Sequence, residues 1–141
     1  MAKIFPENAV ANNEPEQRVL ERLRADLSDE WTVLHSLRIA RHRNNRVGEA
    51  DFVAFTHDCF IVVEVKGGEI EIRRGEWFQN GKELKSPLAQ AWGNFFSLEG
   101  YLKEHGWPGL PGGALCIFPD GQFSPSHADI YTPEWEPFQC V

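Results

Sequence analysis

The spacing of apolar residues predicts an amphipathic helix near the start of the 141-residue chain. In NEPEQRVLERLRADLSDE, which begins at Asn13, apolar residues recur at helical intervals, and a proline and acidic residues occupy the first turn. Glu16 precedes Val19 by three positions and Leu20 by four, so these side chains share one helix face. We therefore expect the Glu16 carboxylate to project toward the protein interior.

The next apolar segments predict strands that are covered on both faces. WTVLHSL, over residues 31–37, is rich in strand formers, whereas DFVAF (51–55) and CFIVVEV (59–65) are apolar at both alternating positions. Residues 56–58 between the last two segments are few enough for a hairpin. These segments indicate neighbouring strands in the middle of a sheet.

The second half of the chain predicts a sheet edge, a helix and a further strand. EIEIRR alternates cleanly and Asn80-Gly81 predicts a tight turn between EWFQ and KELK, so we expect the sheet to reach a solvated edge here. Ser86 and Pro87 predict the start of a second helix, SPLAQAWGNFFSLEGYLKEHG, with Gln90 in its first turn. ALCIF predicts a buried strand after that helix. This order of elements predicts an α/β fold with a mixed sheet.

Length and composition favour a single domain. With 42% hydrophobic residues, the chain is long enough for one core and too short for two ordinary domains. The sequence has no apolar run of about 18 residues and no secretion-signal pattern, which favours a cytoplasmic location without membrane contact. The cysteines are too widely separated to predict a zinc site or a disulfide framework: Cys59, Cys116 and Cys140.

The charge distribution combines an acidic whole with one basic segment. The formal net charge of −7 argues against a general basic coat for nucleic acid. Immediately before the apolar strands, however, RIARHRNNR concentrates positive charge that includes Arg41, Arg43 and Arg46. On its own, such a cluster is more often a solvated basic loop.

Three charged side chains stand at the ends of the two apolar strands. Glu64 and Lys66 are two residues apart in one strand, so they point the same way with a separation of roughly 7 Å. If the strands form a hairpin, Asp51 at the start of the other strand lies near both. The triplet Glu-Val-Lys alone is usually an ordinary strand end, in which the ion pair contributes about 0 to 1 kcal/mol.

The excess of carboxylates favours a divalent cation at this place. Asp51, Glu64 and Glu16 set three negative charges against one lysine, which raises carboxylate pKa values and costs stability in a half-buried site. Oxygen ligands suit Mg²⁺, with Mn²⁺ tolerated, whereas zinc normally takes His or Cys. Such a site suits phosphodiester hydrolysis, in which Lys66 could orient the water, lower its pKa or stabilise the transition state.

Other polar residues give weaker signals. Gln90 has two open roles: a hydrogen bond to the water or a substrate phosphate, or an ordinary place on the helix. The histidines are scattered without metal or nucleophile spacing, so we assign none of them to chemistry: His35, His42, His57, His105 and His127.

The ordered residues resemble a known nuclease signature. Asp51, followed after twelve intervening residues by Glu64-Val65-Lys66, resembles the motif of the PD-(D/E)XK nucleases. More narrowly, EPEQRVLERL, GEADFVAF, CFIVVEVKGGEIE and SPLAQAWGNFFSLEGYL are similar to a nuclease-related domain (NERD) over roughly residues 14–118. The resemblance implies a restriction-endonuclease-like α/β core, with a mixed central β-sheet flanked by helices. One departure is Ala50, which stands where the superfamily name has proline.

The resemblance also implies roles for individual residues. Asp51 and Glu64 correspond to the metal-binding carboxylates, Lys66 to the catalytic lysine, Glu16 to the acidic residue of the first helix and Gln90 to the glutamine of the following helix. We expect Mg²⁺, or Mn²⁺ in its place, to be held by the three carboxylates. We expect DNA phosphates to be held by three arginines: Arg41, Arg43 and Arg46.

The leading expectation is a metal-dependent deoxyribonuclease domain over residues 1–141, with its core over about 13–118. The resemblance implies a role in DNA repair or foreign-DNA processing, and a domain that can form the front end of a longer chain joined to a helicase. The alternative is a non-catalytic nucleic-acid-binding or docking module of a helicase-type protein. A small-ligand binding domain ranks last, because KGGE is too short for a phosphate loop.

Overall fold

The structure is a computed structural model that describes residues 1–41, 46–107 and 109–121. Within these residues the elements are, in chain order, β1 (Lys3–Phe5), α1 (Glu14–Asp26), β2 (Thr32–Arg41), β3 (Arg46–Phe55), β4 (Phe60–Val65), β5 (Ile70–Arg73), β6 (Glu76–Gln79), β7 (Lys82–Leu84), α2 (Pro87–Glu104) and β8 (Gly112–Ile117). The side chains of residues 40–47 and the chain beyond residue 121 lie outside the described part.

The central sheet is mixed and has the strand order β1-β2-β3-β4-β8. β2, β3 and β4 pair antiparallel through short connections, whereas β1 runs parallel to β2 and β8 parallel to β4. The predicted hairpin between the two apolar strands is therefore confirmed.

Helices cover both faces of this sheet, which explains why the central strands are apolar at both parities. Phe52 and Val63 pack in a cluster with Leu20 of α1, whereas Val62 packs in the opposite cluster with Leu88 of α2. The predicted α/β fold, with a mixed sheet between helices, is confirmed and is consistent with a restriction-endonuclease-like core.

Both helices begin where their sequence signals predicted. The Asn13 side chain accepts a hydrogen bond from the backbone N–H of Glu16 at 2.9 Å, and Ser86 accepts one from Ala89 at 3.1 Å. A proline occupies the first turn of each helix, where its missing N–H costs no intrahelical bond. The Asn13 cap therefore fixes the position of Glu16 in the first turn of α1.

The prediction that residues 69–85 form the solvated edge of the central sheet was wrong. β5, β6 and β7 form a separate three-stranded sheet, because the free side of β4 is already paired with β8, with Glu64 opposite Cys116. The chain turns away from β4 at Gly68, whose φ of 78° favours glycine. The Asn80-Gly81 turn itself is confirmed, since both residues have the positive φ values of 51° and 81° that a tight hairpin needs.

Two short features were not apparent from the sequence. β1 has only three residues, too few for a recognisable alternation, and it is held as an edge strand by pairing with β2. β8 begins at Gly112, two residues before the predicted strand. None of the helices within the described residues is long and apolar enough to cross a membrane.

Gly112 provides a test of the β4–β8 packing. A Cβ at this position would lie 2.6 Å from the backbone oxygen of Phe60 and 2.8 Å from the Phe95 ring. We expect Gly112→Ala to lower the free energy of unfolding by about 1–3 kcal/mol because the backbone must shift. The neighbouring Gly113 has nothing within 4 Å, so Gly113→Ala is the control and should change stability by no more than about 0.5 kcal/mol. Equal denaturation midpoints for the two variants would contradict this packing.

Candidate active site

The site forms where β3 and β4 separate. Their backbone pairing runs from Phe55↔Phe60 to Phe52↔Val63. Beyond this pair the backbones no longer pair. Instead, the side chain of Asp51 bonds to β4: its Oδ2 accepts a hydrogen bond from the backbone N–H of Val65 at 2.7 Å. A carboxylate is thereby inserted between two strands and held at a fixed orientation.

The other neighbour of β3 is also deformed at this position. Pairing of β2 with β3 proceeds from His35↔Phe52 to Leu37↔Ala50 and passes over Ser36. Ser36 has a φ of 53°, a left-handed conformation that costs a non-glycine residue about 1–3 kcal/mol. Both strands flanking β3 therefore lose regular geometry at the level of Asp51.

Glu64 and Lys66 form a close, largely buried ion pair at the end of β4. Lys66 Nζ lies 3.4 Å from Glu64 Oε1, and the side chains are 20% and 7% exposed, respectively. Glu64 Oε2 is buried without a hydrogen-bond partner among the described residues. Because a buried charged oxygen without a partner is costly, this atom is suited to bind a cation.

Glu16 reaches the same region from α1, together with a histidine that the sequence did not indicate. Glu16 Oε1 accepts a hydrogen bond from Asn13 Nδ2 at 3.2 Å, and its Oε2 lies 3.6 Å from His35 Nε2. The Glu16 and His35 side chains are 9% and 6% exposed. His35 was assigned no chemistry because its proximity to Glu16 depends on α1 packing against β2, which residue spacing alone does not reveal.

Burial, with a smaller contribution from neighbouring carboxylates, raises the pKa values of the two strand carboxyls. Burial raises the pKa of Asp51 to about 6, despite the hydrogen bond from Val65 that favours its charged form. Burial, followed by the charge of Asp51, raises the pKa of Glu64 to about 7, although Lys66 opposes this shift. Both carboxyls are thus unfavourable as unpaired anions in the folded protein.

Asp51, Glu16 and Lys66 line a polar cleft of about 360 Å³, whereas the buried Glu64 is not among its lining residues and reaches it through its contact with Lys66. Its walls come from the first turn of α1, the ends of β3 and β4, and the β6–β7 turn: Asn13, Pro15, Glu16, Asp51, Val65, Lys66, Gly67, Gly68, Gln79 and Asn80. Gln79 and Asn80 were missed as cleft residues because their sheet was expected at an outer edge. Another cavity of about 390 Å³ lies near Phe55 and Phe60; its lining is mostly apolar and includes no carboxylate that could hold a cation.

Of the remaining predicted residues, Gln90 does not line this cleft, and the position of the three arginine side chains is not described. Gln90 lies in the first turn of α2, and its Oε1 is buried without a hydrogen-bond partner among the described residues. Arg41 and Arg46 face each other in the backbone register of β2 and β3. Their side chains, and Arg43 entirely, lie outside the described residues, so phosphate binding by these arginines stays a prediction.

The donor set fits a partly hydrated hard cation. Among the described residues, no three His, Cys, Asp or Glu side chains form a cluster that could enclose a metal ion. Mg²⁺ is typically held by one or two carboxylates and completed by water and substrate phosphates. Asp51 and Glu64 meet that requirement, and the Oε2 atoms of Glu64 and Glu16, which have no hydrogen-bond partner in the described part of the chain, are oxygen donors suited to such an ion.

The architecture and the family comparison agree. A mixed sheet between helices, with Asp51, Glu64 and Lys66 where two central strands separate, is consistent with the restriction-endonuclease-like class of folds. The chain belongs to the Nuclease-related domain family (NERD), which matches residues 11–119. No curated protein and no solved structure matches the chain. The family resemblance seen in the sequence is therefore confirmed.

The raised pKa values predict a pH dependence of stability in chelator. The folded pKa values of about 6 for Asp51 and about 7 for Glu64 exceed their ordinary values of 3.8 and 4.5, so the folded state holds more protons in this range. Stability from these groups is present below their ordinary values and is lost as pH rises through the folded values. Denaturation of wild type and of the double variant Asp51→Asn/Glu64→Gln should show the variant gaining relative stability between about pH 4 and pH 7, the range from the ordinary to the folded pKa values. A constant difference between the two proteins would contradict the assigned shifts.

Proposed function

We propose that this domain is a metal-dependent nuclease that hydrolyses phosphodiester bonds in DNA. The observation that carries the proposal is that partly buried Asp51 and Lys66 line one polar cleft, with the buried Glu64 carboxylate paired to Lys66. Membership of the nuclease-related family supports a nuclease-type role. Two neighbouring carboxylates with raised pKa values, beside a lysine, match the needs of phosphodiester hydrolysis once a cation is bound.

Each side chain has a role defined by its position. Asp51 and Glu64 would hold Mg²⁺, or Mn²⁺ in its place, with Glu16 as a third carboxylate from α1. When bound, the cation supplies a Lewis acid that lowers the pKa of water and neutralises charge on phosphoryl oxygens.

Lys66 lines the cleft beside Glu64, where its ammonium would hydrogen-bond the attacking water or a phosphoryl oxygen as negative charge develops. Arg41, Arg43 and Arg46 would bind flanking phosphates through charge-assisted hydrogen bonds. A role in DNA repair or foreign-DNA processing, and a helicase joined to this domain, extend the proposal and rest on the family resemblance alone.

A cleavage assay tests the catalytic assignment. Purified protein is incubated with supercoiled, linear duplex and single-stranded DNA, in Mg²⁺, Mn²⁺ or chelator. We expect cleavage only with metal, and Lys66→Ala should lower the rate about 100- to 1000-fold because it removes a group that stabilises developing charge. Lys103→Ala, which removes an exposed lysine in the last turn of α2, is the matched control and should cleave like wild type.

Two results would contradict this assignment. Equal cleavage by wild type and Lys66→Ala would show that the activity comes from elsewhere. Binding of DNA without cleavage in any metal would favour the alternative, a non-catalytic nucleic-acid-binding or docking module.

Metal binding has a separate readout in thermal or chemical unfolding. If the folded site binds Mg²⁺, a free concentration about 100 times the Kd should stabilise wild type by about 2.7 kcal/mol. Asp51→Asn/Glu64→Gln removes the two charged donors, so the same Mg²⁺ should leave its unfolding midpoint unchanged. Equal stabilisation of both proteins would place the ion elsewhere.

A further inference from the structure

The turn that follows β4 is held by side chains from distant parts of the chain. Asp120 Oδ2 accepts the backbone N–H of Gly68 at 2.7 Å. On the other side, Gln79 Nε2 donates to the Gly67 oxygen at 2.8 Å, and Asn80 Oδ1 accepts the N–H of Glu69 at 2.9 Å. The backbone immediately after Lys66 is therefore fixed by tertiary hydrogen bonds.

Asp120 also connects this turn to the helix that carries Glu16. Its Oδ1 accepts a hydrogen bond from the guanidinium of Arg18, and Arg18 Nε lies 2.6 Å from Glu14 Oε1. Arg18 and Glu14 flank Glu16 in the first turns of α1. The N–H of Gly68, followed by the Arg18 guanidinium, lowers the pKa of Asp120 and so keeps it charged at neutral pH.

Direct packing reinforces the same connection. A Cβ on Gly67 would lie 2.3 Å from Pro15 Cγ and 3.1 Å from Asp120 Oδ2. The start of α1 therefore rests on the turn itself, and only glycine fits between them. Lys66 precedes Gly67 and Glu16 follows Pro15, so this contact holds together the two chain segments that carry these cleft residues.

We propose that Asp120 is a positioning residue of the active site, which holds the turn after Lys66 against α1 and so fixes Lys66 relative to Glu16 and Glu64. Asp120 does not line the cleft, so it acts through the turn and not by contact with the substrate. Its side chain is 33% exposed, and exposed ion pairs add little to stability, so its removal should alter geometry more than folding. The kinetic part of this inference rests on the proposed nuclease function.

Steady-state DNA cleavage in Mg²⁺ tests the positioning role. Asp120→Ala should lower kcat about 10- to 100-fold with KM unchanged, since a small displacement of a catalytic group is costly and substrate contacts remain. Asp120→Asn should retain most of the wild-type kcat, because its amide oxygen can still accept the Gly68 N–H. Asp26→Ala is the matched control: its carboxylate pairs with Arg22 at 2.7 Å at the opposite end of α1, and its kinetics should equal those of wild type.

Two kinetic results would overturn the proposal. One is a wild-type kcat for Asp120→Ala. The other is an equal loss in Asp120→Asn and Asp120→Ala, which would show that the charge of Asp120 matters and not its hydrogen bond to the turn.

Amide hydrogen exchange provides a readout that does not depend on cleavage. In protein without substrate, the Gly68 N–H should exchange about tenfold faster in Asp120→Ala than in wild type or Asp26→Ala, because its charged acceptor is lost. Unchanged exchange at Gly68 would overturn the proposal. If wild type cleaves no DNA, the proposed nuclease function fails, while the exchange result still decides whether Asp120 holds the turn.

Discussion

The hydrogen bond from the Val65 backbone N–H to Asp51 Oδ2 is the constraint on which the site depends. It replaces a strand-to-strand bond with a side-chain bond at the place where β3 and β4 separate. The carboxylate is thereby held inside the sheet without leaving the Val65 donor unpaired, which would be costly in a buried position. The opening beyond this bond gives Lys66 access to the cleft, while Glu64 stays in the central strand β4 with its Oε1 3.4 Å from Lys66 Nζ.

Gathering carboxylates at such a place works against the stability of the protein alone. Desolvation raises the pKa values of Asp51 and Glu64, and Lys66 offsets only part of the unfavourable charge. The strained φ of Ser36 adds a further local cost opposite Asp51. Several unfavourable electrostatic and backbone contributions at one cleft are typical of sites that are completed by a ligand.

The sequence predicts those parts of the site that depend on local patterns. Caps and periodicity place Glu16 on the inner face of α1, and apolar strands joined by a short loop bring Asp51 opposite Glu64. It does not predict His35 or the β6–β7 turn as neighbours of the site, because those contacts depend on how separate elements pack. The separate small sheet was missed for the same reason: pairing of β4 with β8 excludes it from the central sheet, and parallel pairing across α2 leaves no short-range signal.

The position of Lys66 is fixed by different contacts from those that fix Asp51. Asp51 is oriented by the strand next to it, whereas Lys66 lies one residue beyond β4, where its N–H still bonds to Ile117 at 3.1 Å. Beyond Lys66 the chain must turn sharply at two glycines, which by themselves give the backbone wide conformational freedom. Contacts from α1, from the β6–β7 turn and from Asp120, which follows β8, restrict that conformational freedom. The position of Lys66 is therefore a property of the assembled fold, and substitutions outside the nuclease motif can disturb it without touching a motif residue.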